Sequence, residues 1–360
     1  VKSLTVTEPR KICDLPSHRR ALLGYLCSEN VRSICLRHRR FPRLPLLQDL
    51  FLQIMVWGAC VEKRNSTCQI RECYSCRGGG LCIGHGKGGE SADAVISYQD
   101  KLCSTRKELF SVLGEYKPLI VIDLGLVASH LRRELRSLRV QVGAALGVIR
   151  RYLWDRHLLL SSAGPGVIEW LRAFMGRALF DYSELPGDEA ASLRGASKII
   201  VLDPSAEKPL TSSEVLSADA FIIGGIIDIL PRPGATRRLN LRGLGEPRKI
   251  TLRGSIHGVP SRLPQVVEIV LRARYETCDI EEAVRRVMSP RDTRLRAFIE
   301  LMKWSRGRRK RVPLTLYYEL REWLPISLRD FVRAARMAKL EVEGLEEAQQ
   351  RPNSSHEHPR

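Results

Sequence analysis

Three apolar runs that close on an aspartate constrain this chain more than any other feature. Residues 119–124 place Leu-Ile-Val-Ile ahead of Asp123, residues 198–203 place Ile-Ile-Val-Leu ahead of Asp203, and residues 220–228 lead through Phe221 and Gly224-Gly225 to Asp228. Short runs that are apolar at every position read as strands buried on both faces, the habit of parallel sheets. Residues 157–162 read as another such strand, and 249–253 as a short fifth. Between them the period changes. Leu131, Leu135, Leu138, Val142 and Ile149 recur at helical spacing and predict a helix over 129–154 with one buried stripe. Residues 167–174, 266–273 and 280–288 also read as helices. Strands alternating with helices give an α/β domain on a mostly parallel sheet with helices on both faces.

Ligands of open α/β sheets sit outside the carboxyl ends of the strands. That edge is where Asp123, Asp203 and Asp228 fall. Three readings stand for them. Together they could hold magnesium for phosphoester chemistry. One could act alone on a substrate base. Or each caps the turn or helix that follows. The Gly224-Gly225 pair is more specific, because two glycines inside a strand mark a bend or a close backbone approach.

The segment Phe221-Ile-Ile-Gly-Gly-Ile-Ile-Asp228 resembles the signature of the tRNA methyltransferases that modify N1 of the purine at position nine, a branch of the SPOUT trefoil-knot methyltransferases. Further pieces follow in that family's order. They are Val121-Ile-Asp-Leu-Gly125, Glu134-Leu-Arg-Ser-Leu138 with Gln141, Ile200-Val-Leu-Asp-Pro-Ser205, Gly258-Val-Pro-Ser-Arg-Leu-Pro264 and Tyr275-Glu-Thr-Cys278. The resemblance implies a SPOUT-type trefoil-knotted parallel sheet that binds S-adenosyl-L-methionine through three loops. It places these loops at Leu202, at Gly224, Gly225, Ile226 and Ile227, and from Val259 to Leu263, with Thr277 closing the pocket. It makes Asp228 the catalytic residue and tRNA the substrate; a non-catalytic RNA-binding protein that has kept the fold is the rival reading. Where the family has a basic residue and Asn after that acid, this chain has Ile229 and Leu230, a difference that bears on base choice.

The flanks are read from charge and cysteine. A formal net charge of +19, mostly from arginine, points to a polyanionic partner. Residues 1–105 form a basic, Cys-rich N-terminal domain, 106–288 the methyltransferase domain, 289–347 a basic helical domain and 348–360 a disordered tail. Candidate RNA contacts are Arg132, Arg136 and Arg139 on the first long helix, the Arg37–Arg43 cluster, and Arg306, Arg308, Arg309, Lys310 and Arg311. Cys68, Cys73, Cys76 and Cys82, four of ten cysteines with two short spacings, could hold a structural zinc with His85 as a spare ligand, although the spacing matches no standard finger. Local disulfides or unpaired thiols would account for the same cluster. The Gly84–Gly89 run beside it reads as a loop. No run reaches the ~20 apolar residues of a membrane span, since Gln48, Asp49 and Gln53 interrupt 46–61. With a polar, basic start, the chain reads as cytoplasmic, with no obligate protein partner evident.

Overall fold

In the N-terminal part, a glycine lets a cystine cross a strand. The computed structural model describes residues 16–76, 79–98, 104–225, 242–306 and 310–345. The first elements are α1 (Ser17–Ser28), β1 (Ser33–Leu36), α2 (Leu46–Trp57), β2 (Cys60–Glu62), β3 (Ser66–Cys76), β4 (Gly79–Ala92), β5 (Ala94–Ser97) and α3 (Ser104–Val112). Their strands form one mixed sheet in the order β2-β5-β1-β4-β3. The Gly84–Gly89 run, expected as a loop, lies inside β4. At Gly84 an added Cβ would sit 2.6 Å from Cys68 Sγ. The bare backbone lets the Cys35–Cys68 disulfide pass over β4 and join β1 to β3, the strands on either side of it.

The cysteine pairings overturn the zinc expectation. Cys68 pairs with Cys35, Cys73 with Cys82 and Cys76 with Cys27, so the four thiols do not converge on one point. A sulfur already bonded to sulfur is no thiolate ligand.

The apolar stretch after Leu46 becomes α2, and Leu46 through Val56 are all buried. Its polar interruptions are satisfied inside. Gln48 Nε2 donates to the carbonyls of Arg150 and Leu153, and Gln48 Oε1 lies 2.9 Å from His18 Nε2. Gln53 Nε2 donates to Asp49 Oδ1. No helix among the described residues is long and apolar enough to cross a membrane.

The second sheet holds β6 (Leu119–Asp123), β7 (Leu158–Ser161), β8 (Asp181–Tyr182), β9 (Ile199–Leu202), β10 (Ala220–Gly224) and β11 (Glu246–Arg248). All pairings are parallel, in the order β11-β9-β10-β6-β7-β8. Val121, Leu159, Val201 and Ile222 pack on Ala190 and Ala191. The alternate residues Ile120, Ile122, Leu160, Ile200 and Phe221 are fully buried too, so both faces are covered. The fifth strand falls at β11, before the expected 249–253, and Lys249 only bridges to Pro209.

The connecting helices are α4 (Arg132–Tyr152), α5 (Pro165–Met175), α6 (Gly187–Ser192), α7 (Ser212–Ser217) and α8 (Leu263–Arg272), followed by a π-helical turn at Ala273–Thr277. On α4, Leu138, Val142 and Ile149 are fully buried as the spacing requires. Leu131 is 64% exposed, because the helix starts after it, where the Glu134 carboxylate accepts its N–H.

The chain divides into two compact units: 1–249 with 262–280, and 250–261 with 281–360. The second contains most of α9 (Ile280–Val287), then α10 (Pro290–Ser305), β12 (Arg311–Pro313), α11 (Thr315–Arg321), α12 (Leu328–Met337) and β13 (Glu341–Glu343). Ser289 and Ser327 cap α10 and α12 by accepting the N–H of Asp292 and Asp330. The short parallel pair β12–β13 lay hidden in what reads as all-helical sequence.

Candidate active site at the strand ends

Two of the three strand-end aspartates are spent on the fold. Asp123, 5% exposed, accepts the Gly125 N–H on Oδ1 at 2.9 Å. Its Oδ2 accepts the hydroxyls of Ser161 and Ser162, both at 2.9 Å, and the Gly187 N–H at 3.0 Å. A carboxylate with four donors pins three loops together and has little left for a metal. Asp203 accepts the N–H and hydroxyl of Ser205, closing a turn just past β9. No group of three His, Cys, Asp or Glu among the described residues could hold a metal ion. The magnesium reading therefore loses two of its three ligands. Asp228, with Ile226 and Ile227, lies outside the described residues.

The other expected cofactor residues fall as follows. β9 and β10 are parallel neighbours, so their ends, Leu202 and Gly224, open on one edge of the sheet. Gly225 follows, buried, and its N–H donates to the Asp123 carbonyl at 2.8 Å. A Cβ there would stand 2.8 Å from Leu124 Cδ2 and 2.9 Å from the Asp123 carbonyl oxygen. Only glycine fits this approach, as the sequence suggested.

Leu263, the first residue of α8, is 4% exposed, and its N–H donates to Gln141 Oε1 at 3.1 Å. Gln141 also donates to Ser137 Oγ. The Glu134–Gln141 motif thus acquires a physical role: Glu134 caps α4, Ser137 orients Gln141, and Gln141 fixes the start of α8. The one-dimensional motif places these residues on one helix but does not show what they hold. Thr277 ends the π-helical turn, with its hydroxyl donating to the Asp279 carbonyl at 2.7 Å. Cys278 after it takes a left-handed conformation (φ 53°) and is disulfide-bonded. Val259 belongs to the second unit, half-buried, its N–H bonded to the Ile256 carbonyl at 3.2 Å.

Apolar strand ends and a side-chain-free backbone suit a nucleoside held by backbone groups and hydrophobic contact. Such a set fits S-adenosylmethionine, with no need of a metal ligand.

Of the candidate RNA contacts, Arg132 and Arg136 are exposed. Arg139 is half-buried and stacks on Trp170 and Phe174, with 5.7 and 4.7 Å from its guanidinium carbon to the ring centres. In the Arg37–Arg43 cluster, Arg39 binds the carbonyls of Phe41 and Leu44, and Arg40 stacks on both Trp57 and Tyr98. Arg306 and Lys310 are exposed, and Arg308 and Arg309 lie outside the described residues. Arg311 lies 3.6 and 3.7 Å from Glu341 and Glu343 across the β12–β13 pair.

A buried parallel sheet with a Gly-Gly backbone at its carboxyl edge, and a helix start held by Gln141, fit the α/β methyltransferase of the SPOUT class that the sequence resembles. Comparison with known proteins narrows this. The tRNA (adenine(9)-N1)-methyltransferase of Sulfolobus acidocaldarius is 32% identical over 266 residues, 73% of this chain and 81% of that protein. The tRNA (guanine(9)-/adenine(9)-N1)-methyltransferase of Thermococcus kodakarensis is 30% identical over 258 residues, 67% of each. The crystal structure of Sulfolobus acidocaldarius Trm10 in complex with S-adenosylhomocysteine shares the fold, with a TM-score of 0.63 at 22% identity, covering 87% of this chain and 95% of that one. A profile described as protein arginine N-methyltransferase SFM1-like matches residues 184–253. The chain belongs to the family of tRNA position-nine N1-methyltransferases, the Trm10 proteins.

Proposed function

We propose that this protein transfers a methyl group from S-adenosylmethionine to N1 of the purine at position nine of tRNA, acting in the cytoplasm. One observation carries the reading: the sheet edge offers the bare backbone of Gly224-Gly225 beside apolar Leu202, while Asp123 and Asp203 are tied into the fold. When bound, the sulfonium of S-adenosylmethionine supplies the methyl group. In this reading the surrounding chain is threaded as a trefoil knot, with Leu202, Gly224, Gly225, Ile226, Ile227, Val259, Leu263 and Thr277 lining the cofactor.

Asp228, three residues past Gly225, is the acid left for chemistry. Its task depends on the base. Guanine N1 carries a proton at neutral pH, so Asp228 acts as its acceptor or orients one. Adenine N1 presents a lone pair, and methylation leaves a cation; Asp228 then accepts a hydrogen bond from the amino group and stabilises that charge. Ile229 and Leu230 remove the polar groups that usually follow, which favours acceptance of adenine.

Arg132, Arg136, Arg306, Arg308, Arg309, Lys310 and Arg311 contact tRNA phosphates, which set position and salt dependence but not sequence. Arg139 supports that face through its stack on α5. The disulfide-braced N-terminal sheet and the C-terminal helices act as accessory domains that hold the tRNA. Titration calorimetry with S-adenosylhomocysteine in the presence of a chelator tests the reading. Stoichiometric binding is expected, and no binding overturns it.

A further inference from the structure

We infer that Arg296, on α10, is a positioning residue for the cofactor, because it holds the 250–261 loop in shape from inside the second unit. The inference rests on the methyltransferase reading, in which that loop carries Val259 and leads into Leu263.

Arg296 is 2% exposed and among the largest fully buried side chains of the protein. Burying a guanidinium costs several kcal/mol unless it is paired and hydrogen-bonded. Here two loop carbonyls, one carboxylate of its own helix and one indole ring surround it. Nη1 donates to the carbonyl of Leu252 at 2.8 Å and to that of His257 at 3.3 Å. Nε lies 2.8 Å from Glu300 Oε1, one turn further along α10. The guanidinium stacks on Trp323, 5.1 Å from the ring centre, and Arg253 from the loop stacks on the same ring at 4.8 Å.

The loop's other hydrogen bonds reach over shorter spans. Leu252 and Ser255 exchange backbone hydrogen bonds, and Val259 N–H reaches Ile256. Arg253 N–H is held by Glu281. Arg296 joins the carbonyl at the loop's start to the one just ahead of Gly258. Gly258 makes the fit close: its φ is +78°, and an added Cβ would stand 2.6 Å from Arg296 Cβ and 3.1 Å from its Cα. The residue that precedes Val259 is therefore pressed onto the helix backbone at Arg296. An apolar side chain of similar volume would fill the space at lower desolvation cost. It would lack the two directional donors that set the loop's path.

The test uses the full chain with Arg296→Met, Arg296→Lys and Gly258→Ala. S-adenosylhomocysteine affinity is measured by calorimetry, tRNA affinity by filter binding, and folding by circular dichroism. Arg296→Met and Gly258→Ala should each weaken S-adenosylhomocysteine binding roughly tenfold or more, the scale of one charged hydrogen bond. Binding of tRNA should stay as in the parent. Arg296→Lys, which keeps the charge, should recover part of the loss. In turnover the defect should lie in KM for S-adenosylmethionine and not in kcat. A folded Arg296→Met protein with parental S-adenosylhomocysteine affinity overturns the inference. If that variant does not fold, parental affinity in folded Gly258→Ala overturns it instead. Absence of binding by the parent protein refutes the methyltransferase reading itself, and the inference falls with it.

Discussion

Gly225→Ala probes the cofactor edge with a single methyl group. That methyl would meet Leu124 Cδ2 at 2.8 Å and the Asp123 carbonyl oxygen at 2.9 Å, well inside the ~3.5 Å of a comfortable contact. Neither neighbour yields easily. Leu124 is 2% exposed, and Asp123 is fixed by its pairing with Gly224 and by the four donors on its carboxylate. The strand end must move, at an overpacking cost of about 1–3 kcal/mol. Borne by the cofactor complex, that strain is roughly a five- to 150-fold loss of affinity. Calorimetry with S-adenosylhomocysteine measures it, beside a urea unfolding curve. Gly147→Ala is the control. This exposed glycine in α4 has nothing within 4 Å of an added Cβ, so it should stabilise by ~1 kcal/mol and leave affinity unchanged. A folded Gly225→Ala protein that binds as tightly as the parent would refute the reasoning.

Alanine at Arg306, Arg308, Arg309, Lys310 and Arg311 should flatten the salt dependence of tRNA binding by roughly 0.7–0.9 per lost phosphate contact, without changing S-adenosylhomocysteine affinity. Arg311 should contribute least, because Glu341 and Glu343 already face it, and an unchanged slope would mark the run as plain solvated surface. Elemental analysis should find no stoichiometric zinc, and the eight described cysteines should resist thiol titration until reduced; reduction should lower the unfolding free energy read from urea curves by about 2–4 kcal/mol for each disulfide lost, and a metal with free thiols would reverse this account. Burial lowers the pKa of His18, helped by the Arg19 charge, and takes His157 from 6.5 to about 4. The unfolded chain takes up these protons and the folded protein excludes them, so stability is complete above pH 6.5 and falls as pH drops toward 4. His157 alone should cost roughly 2 kcal/mol by pH 5, a window in which few carboxylates titrate; equal urea midpoints at pH 7 and pH 5 would contradict this.

The sequence reads well where burial writes a periodic signal. Strands apolar on both faces announced β6, β7, β9 and β10, and the stripe of Leu138, Val142 and Ile149 announced α4. It reads poorly where partners are distant in the chain. Cys68 and Cys76 look like a local metal set, yet they bond to Cys35 and Cys27, 33 and 49 residues away. Asp123 looks like a ligand until Ser161, Ser162 and Gly187 arrive around it. Arg139 shares its helix face with Arg132 and Arg136, but only the packing of α5 reveals its stack on Phe174. The Gly84 run shows a different ambiguity: glycine in a loop and glycine beneath a crossing disulfide look the same in one dimension.

The central claim concerns one atom of one nucleotide. Unmodified tRNAs with adenosine or guanosine at position nine are incubated with the protein and S-adenosylmethionine, digested, and analysed by nucleoside mass spectrometry, with Asp228→Asn in parallel. The account predicts N1-methylated purine at position nine, with adenosine accepted. Asp228→Asn should lose about 10²–10⁴-fold in rate on a guanosine substrate and less on adenosine. No methylated nucleoside from a protein that binds S-adenosylhomocysteine, or methyl transfer to protein arginine instead, would contradict it.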